Sequence, residues 1–262
     1  MKRRTYIIAT VVIVGALAGC YGLWQERKAD TSARQAMSAK KVTKDTPHKI
    51  EQPKPFDKKQ FSFDDAASPW VIVNKKRSLI PANYTPKTLT LPNIRLRSNI
   101  TSDERQVTAV TAKALETLVG TAKEQGIGLT LESGYRSYNF QVSLYDRYVR
   151  QQGQAVADTQ SARAGHSEHQ TGFAADLGGI TRPACNVEPC YADTPEGIWL
   201  AANAYKFGFI IRYPAGRDAV TGYMYEPWHL RYVSVELSTE MHNKNAQTLE
   251  EFFDLPAAPG YN

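Results

Sequence analysis

Gly165-His166-Ser167-Glu168-His169-Gln170-Thr171-Gly172-Phe173-Ala174-Ala175-Asp176-Leu177 sets two candidate metal ligands on either side of a glycine turn. Residues 165–171 read as loop, and residues 173–177 as a short buried strand bounded by Gly172 and by Gly178-Gly179. Side chains alternate along a strand, so Ala174 and Asp176 share one face while Phe173, Ala175 and Leu177 share the other. A carboxylate on a face otherwise kept small is costly to bury unless it is paired or holds a cation. The nearest candidate to share one is His169, across the glycine turn.

Glu226-Pro227-Trp228-His229 supplies what this stretch lacks. Pro227 biases Glu226 towards extended backbone, and near polyproline geometry, with a period of about three residues, Glu226 and His229 project to the same side. Two histidines and an aspartate with a spare glutamate alongside form the inventory of an open zinc site in a hydrolase: three protein ligands, a position for water, and a general base. Spacing alone leaves that reading level with an ordinary buried polar cluster.

The pattern Ser-x-His-x-x-Gly-x-Ala-x-Asp is met by Ser167, His169, Gly172, Ala174 and Asp176, and Glu-x-x-His by Glu226 and His229. It resembles the VanY-type D-alanyl-D-alanine carboxypeptidases, of the superfamily that also holds lysostaphin-like peptidases and the hedgehog signalling domain; LdcB-type L,D-carboxypeptidases are similar too. The resemblance extends upstream to Ser133-Gly134-Tyr135-Arg136-Ser137-Tyr138 with Gln141, downstream through Tyr225 to Tyr232, and covers roughly residues 70–253. It implies one zinc ion per chain held by His169, Asp176 and His229, with Glu226 as catalytic base and substrate contacts from Arg136, Gln141 and Ser167. The implied substrates are peptidoglycan stem peptides ending in a D-alanine carboxylate. The activity this implies first is hydrolysis of the terminal D-alanine from D-alanyl-D-alanine, with L,D-cleavage of a tetrapeptide stem as the alternative that the sequence does not separate from it. A cell-wall endopeptidase suits Arg136, Gln141 and Ser167 less well, because together they fit a free chain end. A non-catalytic, zinc-bearing cell-wall binding domain is disfavoured by Glu226, since a structural site has no use for a free base.

The net charge of +6 over 262 residues invites a nucleic-acid reading, which the distribution of charge excludes. Lys2, Arg3 and Arg4 contribute +3; residues 25–60 hold ten Lys/Arg against five Asp/Glu; the remainder carries 19 against 21, a net of −2. The basicity belongs to the N-terminal part. Lys2-Arg3-Arg4 precede an uncharged apolar run from Tyr6, with Leu17-Ala18-Gly19 before Cys20, which resembles a bacterial lipoprotein signal with Cys20 lipidated. Tyr21-Gly22-Leu23-Trp24 prolong the run to about the length of a membrane anchor, and the two readings stand side by side. Either one leaves the bulk of the chain on the extracytoplasmic face of a bacterial membrane, tethered through its N-terminus. In that compartment Cys185 and Cys190, close together in a Pro-containing loop, are expected as a disulfide.

The division expected is therefore a signal or anchor over residues 1–24, a disordered basic tether over 25–65, and a zinc carboxypeptidase domain over 66–258. Ser38-x-x-Lys41 matches the signature of serine-type penicillin-binding enzymes, but the tether cannot supply the packed helix that serine needs. Thr101-Ser102-Asp103-Glu104 reads as a capping box for a helix with Val107, Val110, Ala114, Leu118 and Ala122 inward, closed near Gly126. Leu129 and Leu131 read as a strand, Ser137 as the cap of a helix ending at Gly153, and Thr194-Pro195 as the start of another ended by Gly208. Residues 209–211 and 228–233 read as strands, and residues from Ser234 on as helical. Helices and strands alternate irregularly, which predicts an α+β fold with a small, largely antiparallel sheet flanked by helices and, as in the resembled enzymes, the zinc site in a cleft on the sheet. His48 and His242 read as structural or solvated, His166 as a cleft residue or one behind the ligands, and Trp228, Tyr213, Tyr223 and Tyr225 as packing residues at or near the groove.

Overall fold

The computed structural model describes residues 56–261. The expected signal or anchor, Cys20, Ser38, Lys41, His48 and most of the tether lie outside the described residues. Among the described residues no helix is long and apolar enough to cross a membrane.

Four strands form one sheet in the order β1-β2-β4-β3, every pairing antiparallel: β1 Leu129–Ser133, β2 Ala174–Gly179, β3 Phe209–Ile211 and β4 His229–Tyr232. The alternation of β2 decides how the sheet is used. Ala175 sits opposite Leu230, and Leu177 opposite Leu131, on the face that packs into the core with Phe173. On the other face Asp176 sits opposite His229 and Ala174 opposite Arg231. Directly opposed residues on antiparallel strands stand about 5 Å apart at Cβ, so the register alone brings two of the expected ligands together.

Helices α1 (Ala109–Glu124) and α4 (Pro195–Asn203) cover the core face, the first burying Thr111, Ala112, Leu115, Leu118 and Ala122 and the second Trp199 and Leu200. Each fully buried Leu here contributes about 1.5–3 kcal/mol relative to leaving it in water. The start of α1 differs from expectation. Thr101 and Glu104 do make the reciprocal capping-box bonds, Glu104 N to Thr101 Oγ1 at 3.2 Å and Thr101 N to Glu104 Oε2 at 3.3 Å, but they close a turn. The helix begins after Thr108, whose side chain accepts from Thr111 N; Val107 is spent on a bridge to Thr90, and Val110 faces solvent. The helix is thus rotated from the expected face, with only Leu118 and Ala122 of the expected set buried within it.

Helix α2 (Tyr138–Gln152) starts at Ser137, whose hydroxyl accepts from Phe140 N, and ends at Gly153 as its sequence predicts; it buries Gln141. A short α3 (Gln154–Gln160) follows, and α5 (Asp218–Thr221) precedes the second site segment. Ser234 caps α6 (Val235–Asn243), and α7 (Leu249–Phe252) completes the helices used below. A second apolar cluster joins Trp70 and Ile72 to Val233, Leu237, Met241, Leu249, Phe252 and Phe253. Phe56 stacks on Trp70 with ring centroids 5.4 Å apart, Phe61 meets the same ring edge-on, and Phe63 packs on Phe253. Residues 56–65 therefore belong to the folded domain, earlier than the boundary expected after residue 65, because three phenylalanines in a polar stretch are enough to seat it. At the other end packing extends past residue 258, where the Tyr261 hydroxyl accepts from Arg163 N at 2.8 Å.

Candidate metal centre

His169 lies in a 3-10 turn, Glu168–Thr171, that ends at Gly172 with φ of 71°, a left-handed conformation that glycine adopts without strain. Its Nδ1 is 2.6 Å from the Gly134 carbonyl oxygen. A carbonyl only accepts, so Nδ1 carries the proton and Nε2 keeps its lone pair. That Nε2 comes within 3.3 Å of Asp176 Oδ2.

His229 opens β4, with Nε2 3.4 Å from Glu168 Oε2 and Nδ1 3.1 Å from Asp176 Oδ1. A donor atom from each of His169, Asp176 and His229 lies within 4.8 Å of the others, all three residues being buried, so the group could hold a metal ion. The donor set fits one. His169 Nε2 and Asp176 Oδ1 are buried with no hydrogen-bond partner among the described residues although ion-pair contacts surround them, so their lone pairs are close together without being satisfied by one another. Two imidazole nitrogens and a carboxylate oxygen are the ligands zinc accepts in open, tetrahedral sites.

Glu226 stands beside this group, its Oε2 3.6 Å from His229 Nδ1. The expected polyproline geometry is not what aligns them. His229 N donates to the Glu226 carbonyl at 3.2 Å, so Glu226-Pro227-Trp228-His229 is a turn with Pro227 at its second position, where a fixed φ suits it. Burial pushes the Glu226 carboxyl up to about 8, and the charges of Asp176 and Glu168 add to this against His229 and Arg136. Burial disfavours a charged His229, but the close approach of Asp176, the hydrogen bond to Glu168 and the charges of Asp176 and Glu226 outweigh it and raise the imidazole to about 9. Burial and then the Arg136 charge lower His169. A divalent cation between these donors would replace the proton on His229 and draw the Glu226 carboxyl down.

Arg136, in the loop between β1 and α2, donates Nη2 to Asp176 Oδ2 at 3.2 Å and Nη1 to Gln141 Oε1 at 3.4 Å; its Nε is buried without a partner among the described residues. Gln141 is fully buried, and its Nε2 donates to Ser161 Oγ at 3.2 Å and to the Ala162 carbonyl at 2.7 Å. It stands behind the wall that Ser161 and Ala162 present, not in it. Ser167 lines an inner recess of about 40 Å³ together with Arg136, Ala162, His169, Tyr213 and Tyr223. Arg136, Ser161 and Glu226 also border a cleft of about 1140 Å³, so the recess is its inner end. Trp228 lines the cleft, while Tyr213 lies over the His229 ring with centroids 4.9 Å apart. The disulfide Cys185–Cys190 is present, and Pro183, Asn186, Val187, Glu188 and Pro189 of its loop form part of the cleft wall.

His166 is not part of the site. Its Nδ1 lies 2.8 Å from the Asn74 carbonyl oxygen and its ring meets Tyr261 edge-on. His242 stacks on Tyr205, in keeping with a structural part. Sequence reasoning passed over a buried ionic cluster behind His229. Glu168 Oε1 accepts from Arg212 Nε and from Arg231 Nη1, both at 2.8 Å, while Arg212 also donates to Glu250, which in turn accepts from Asn74. A signal was present: Arg231 shares a strand face with His229 two residues away, and a guanidinium on a buried face needs a carboxylate.

A model of the family described as VanY, D-alanyl-D-alanine carboxypeptidase, matches residues 104–235. The chain is similar to the putative carboxypeptidase YodJ of Bacillus subtilis (strain 168), 39% identical over 183 residues, which are 70% of this chain and 66% of that one. It therefore spans just under two thirds of that relative's length. Among solved structures it is similar to the LD-carboxypeptidase LdcB, with a TM-score of 0.67 and 37% identity over 72% of this chain and 87% of that chain. It is also similar to a mutant of the vancomycin-resistance D,D-pentapeptidase VanY from a VanB-type cassette, in complex with Zn(II), with a TM-score of 0.57 and 28% identity over 71% of this chain and 98% of that chain.

Proposed function

Because the chain belongs to the VanY family of D-alanyl-D-alanine carboxypeptidases, we propose that it is a zinc-dependent carboxypeptidase that removes the terminal D-alanine from peptidoglycan stem peptides. The observation that carries this is the convergence of buried His169, Asp176 and His229 beside Glu226, at the inner end of a cleft where Arg136 waits. His169, Asp176 and His229 would hold one zinc ion, which supplies Lewis acidity and a water that ionises near neutral pH.

The chain's own residues do the rest. Glu226 takes the proton from the attacking water at its carboxylate and returns it to the departing amine, a role for which its carboxyl must stand ionised, as the charge of a neighbouring cation favours. Arg136 presents a guanidinium to the substrate's terminal carboxylate, and Ser167 borders the recess that would take the last residue. Gln141 holds Arg136 and the Ser161-Ala162 wall in place. Tyr213 and Trp228 close the surroundings against bulk water and strengthen each of these contacts. A domain on the extracytoplasmic face, tethered through its N-terminus, is part of the proposal, supported by the Cys185–Cys190 disulfide and the apolar run before Cys20.

Release of alanine from synthetic pentapeptide and tetrapeptide stems tests the reading. The zinc-loaded protein is expected to release one D-alanine from the pentapeptide, and Glu226→Ala to keep its zinc while losing about 10²–10⁴-fold in kcat. Full-rate cleavage by Glu226→Ala would overturn the mechanism. The likeness to LdcB makes L,D-cleavage the second reading, and release from the tetrapeptide alone would establish it instead.

A further inference from the structure

The cleft holds about 1140 Å³, more than a terminal dipeptide needs and at the upper end of what ligand sites enclose. Upstream residues of a bound peptide must therefore lie against its outer part, away from His169, Asp176 and His229. Two walls of that outer part are defined by local structure. Residues 95–97 run beside β1, with Arg97 N donating to the Leu131 carbonyl and Leu131 N to that of Arg95; Leu96 packs against the core while Arg95 and Arg97 border the cleft. The other wall is one face of α2, made by Leu144, Arg147, Tyr148 and Gln152 at helical spacing.

Most of the charges along this surface are already matched within the protein. Arg97 Nη2 is 3.2 Å from both carboxylate oxygens of Glu104, and its Nε donates to the Glu132 carbonyl. Glu132 accepts from Thr130 Oγ1 at 2.7 Å and from Asn186 Nδ2 at 3.2 Å. Arg136 is joined to Asp176. The guanidinium groups of Arg95 and Arg147 are exposed and have no partner among the described residues. The only other lining charge so placed among the described residues is the Glu188 carboxylate, on the disulfide loop.

From this we infer a second anion-recognition site in the outer cleft: Arg95 and Arg147 select stem peptides that carry a free carboxylate upstream of the cleaved residue over the same peptides with that carboxylate amidated. The inference rests on the carboxypeptidase reading above and adds a specificity to it. A planar guanidinium binds a carboxylate through paired hydrogen bonds and offers an uncharged carboxamide much less. Such a contact at an exposed site is screened, so the preference shrinks as salt rises.

The test uses two pentapeptides identical except that one has free upstream carboxylates and the other carboxamides, the terminal carboxylate being left intact in both. KM is measured with zinc-loaded wild type, Arg95→Gln, Arg147→Gln and the double variant. Wild type is expected to favour the acidic peptide by about five- to tenfold in KM at low salt, each single variant to reduce that ratio, and the double variant to bring it close to one. Equal KM for both peptides in wild type, or a ratio that survives in the double variant, overturns the inference. Binding of the same peptides to zinc-loaded Glu226→Ala protein, followed by calorimetry, gives the ratio without turnover. If neither pentapeptide is hydrolysed, the D,D-carboxypeptidase reading falls, and the calorimetric ratio still decides for or against the second site.

Discussion

His229 shows how much one side chain depends on what lies behind it. Its Nδ1 serves the candidate metal position only while Nε2 is held by Glu168, and Glu168 is fixed in turn by two guanidinium groups, all three with fully buried side chains. Burial alone would raise the Glu168 carboxyl, but Arg231 and Arg212 hold it well below the ordinary carboxylate value. It is therefore an obligate acceptor that keeps the proton of His229 on Nε2. Glu168→Gln is expected to lower zinc affinity about 10–100-fold, since an amide can turn either its oxygen or its nitrogen towards the imidazole. Competition against a chelating indicator measures this, and an unchanged affinity would remove Glu168 from the site's support. His169, Asp176, His229 and Glu226 were legible because the short spacings around Gly172 and Pro227, which alone leave an ordinary polar cluster equally open, are joined there by the family resemblance. Glu168, although adjacent to a ligand, carried no signal of its own beyond lying in a loop, because its partners Arg212 and Arg231 lie 44 and 63 residues further on.

At the scale of elements, side-chain caps that act within a few residues were read correctly, and signals that depend on a distant competitor were not. Ser137, Thr194 and Ser234 cap the helices expected of them, since a side-chain oxygen meeting a nearby N–H is a local event. Thr101 and Glu104 form their capping box on a turn and not on a helix, because Val107 pairs with Thr90 and the chain turns helical only after Thr108. The disulfide loop is the element whose function is easiest to separate from its stability. Asn186 ties it to β2 independently of the cysteines, accepting from Gly179 N and donating to the Gly179 carbonyl and to Glu132. A five-residue separation gives a closed loop whose cross-link contributes about 2 kcal/mol by chain entropy. Cys185→Ser with Cys190→Ser is expected to cost no more than that in chemical denaturation. It should raise KM for stem peptides with little change in kcat, because Val187 and Glu188 line the cleft while Asp176 and His229 sit on the sheet and His169 and Glu226 on turns beside it. A fall in kcat at constant KM would contradict this division.

Across the whole molecule, the chain closes on itself behind the metal centre. Arg231 donates to the carbonyls of Pro69 and Val71, Asn74 donates to Glu250, and Glu250 binds Arg212, so the segment before α1 and the helix α7 meet on the ionic cluster that steadies His229. The contacts of Arg231 with Pro69 and Val71 and of Asn74 with Glu250 join residues 160 to 176 positions apart, a separation at which neither periodicity nor motif spacing carries information. They also give the fold an acid sensitivity of definite sign. Burial would raise the Glu250 carboxyl, but the Arg212 charge and hydrogen bonds from Arg212 and Asn74 lower it below its ordinary value of 4.5, and Glu168 is lowered likewise. A carboxyl with a depressed folded-state value binds protons more readily once unfolded, so its contribution is complete above about pH 4.5 and is lost as the pH falls towards its folded value. Glu250→Gln should lower the melting temperature at pH 7 by about 10 °C, the cost of leaving Arg212 half-paired in a buried site. Below pH 4.5 the gap between variant and wild type should narrow, because protonation gradually withdraws from wild type the charge the variant never had. Scans of chelator-treated protein from pH 3 to 7 isolate this from metal release, and a gap that stayed constant down to pH 3 would show that the Glu250 carboxylate charge does not hold the cluster together.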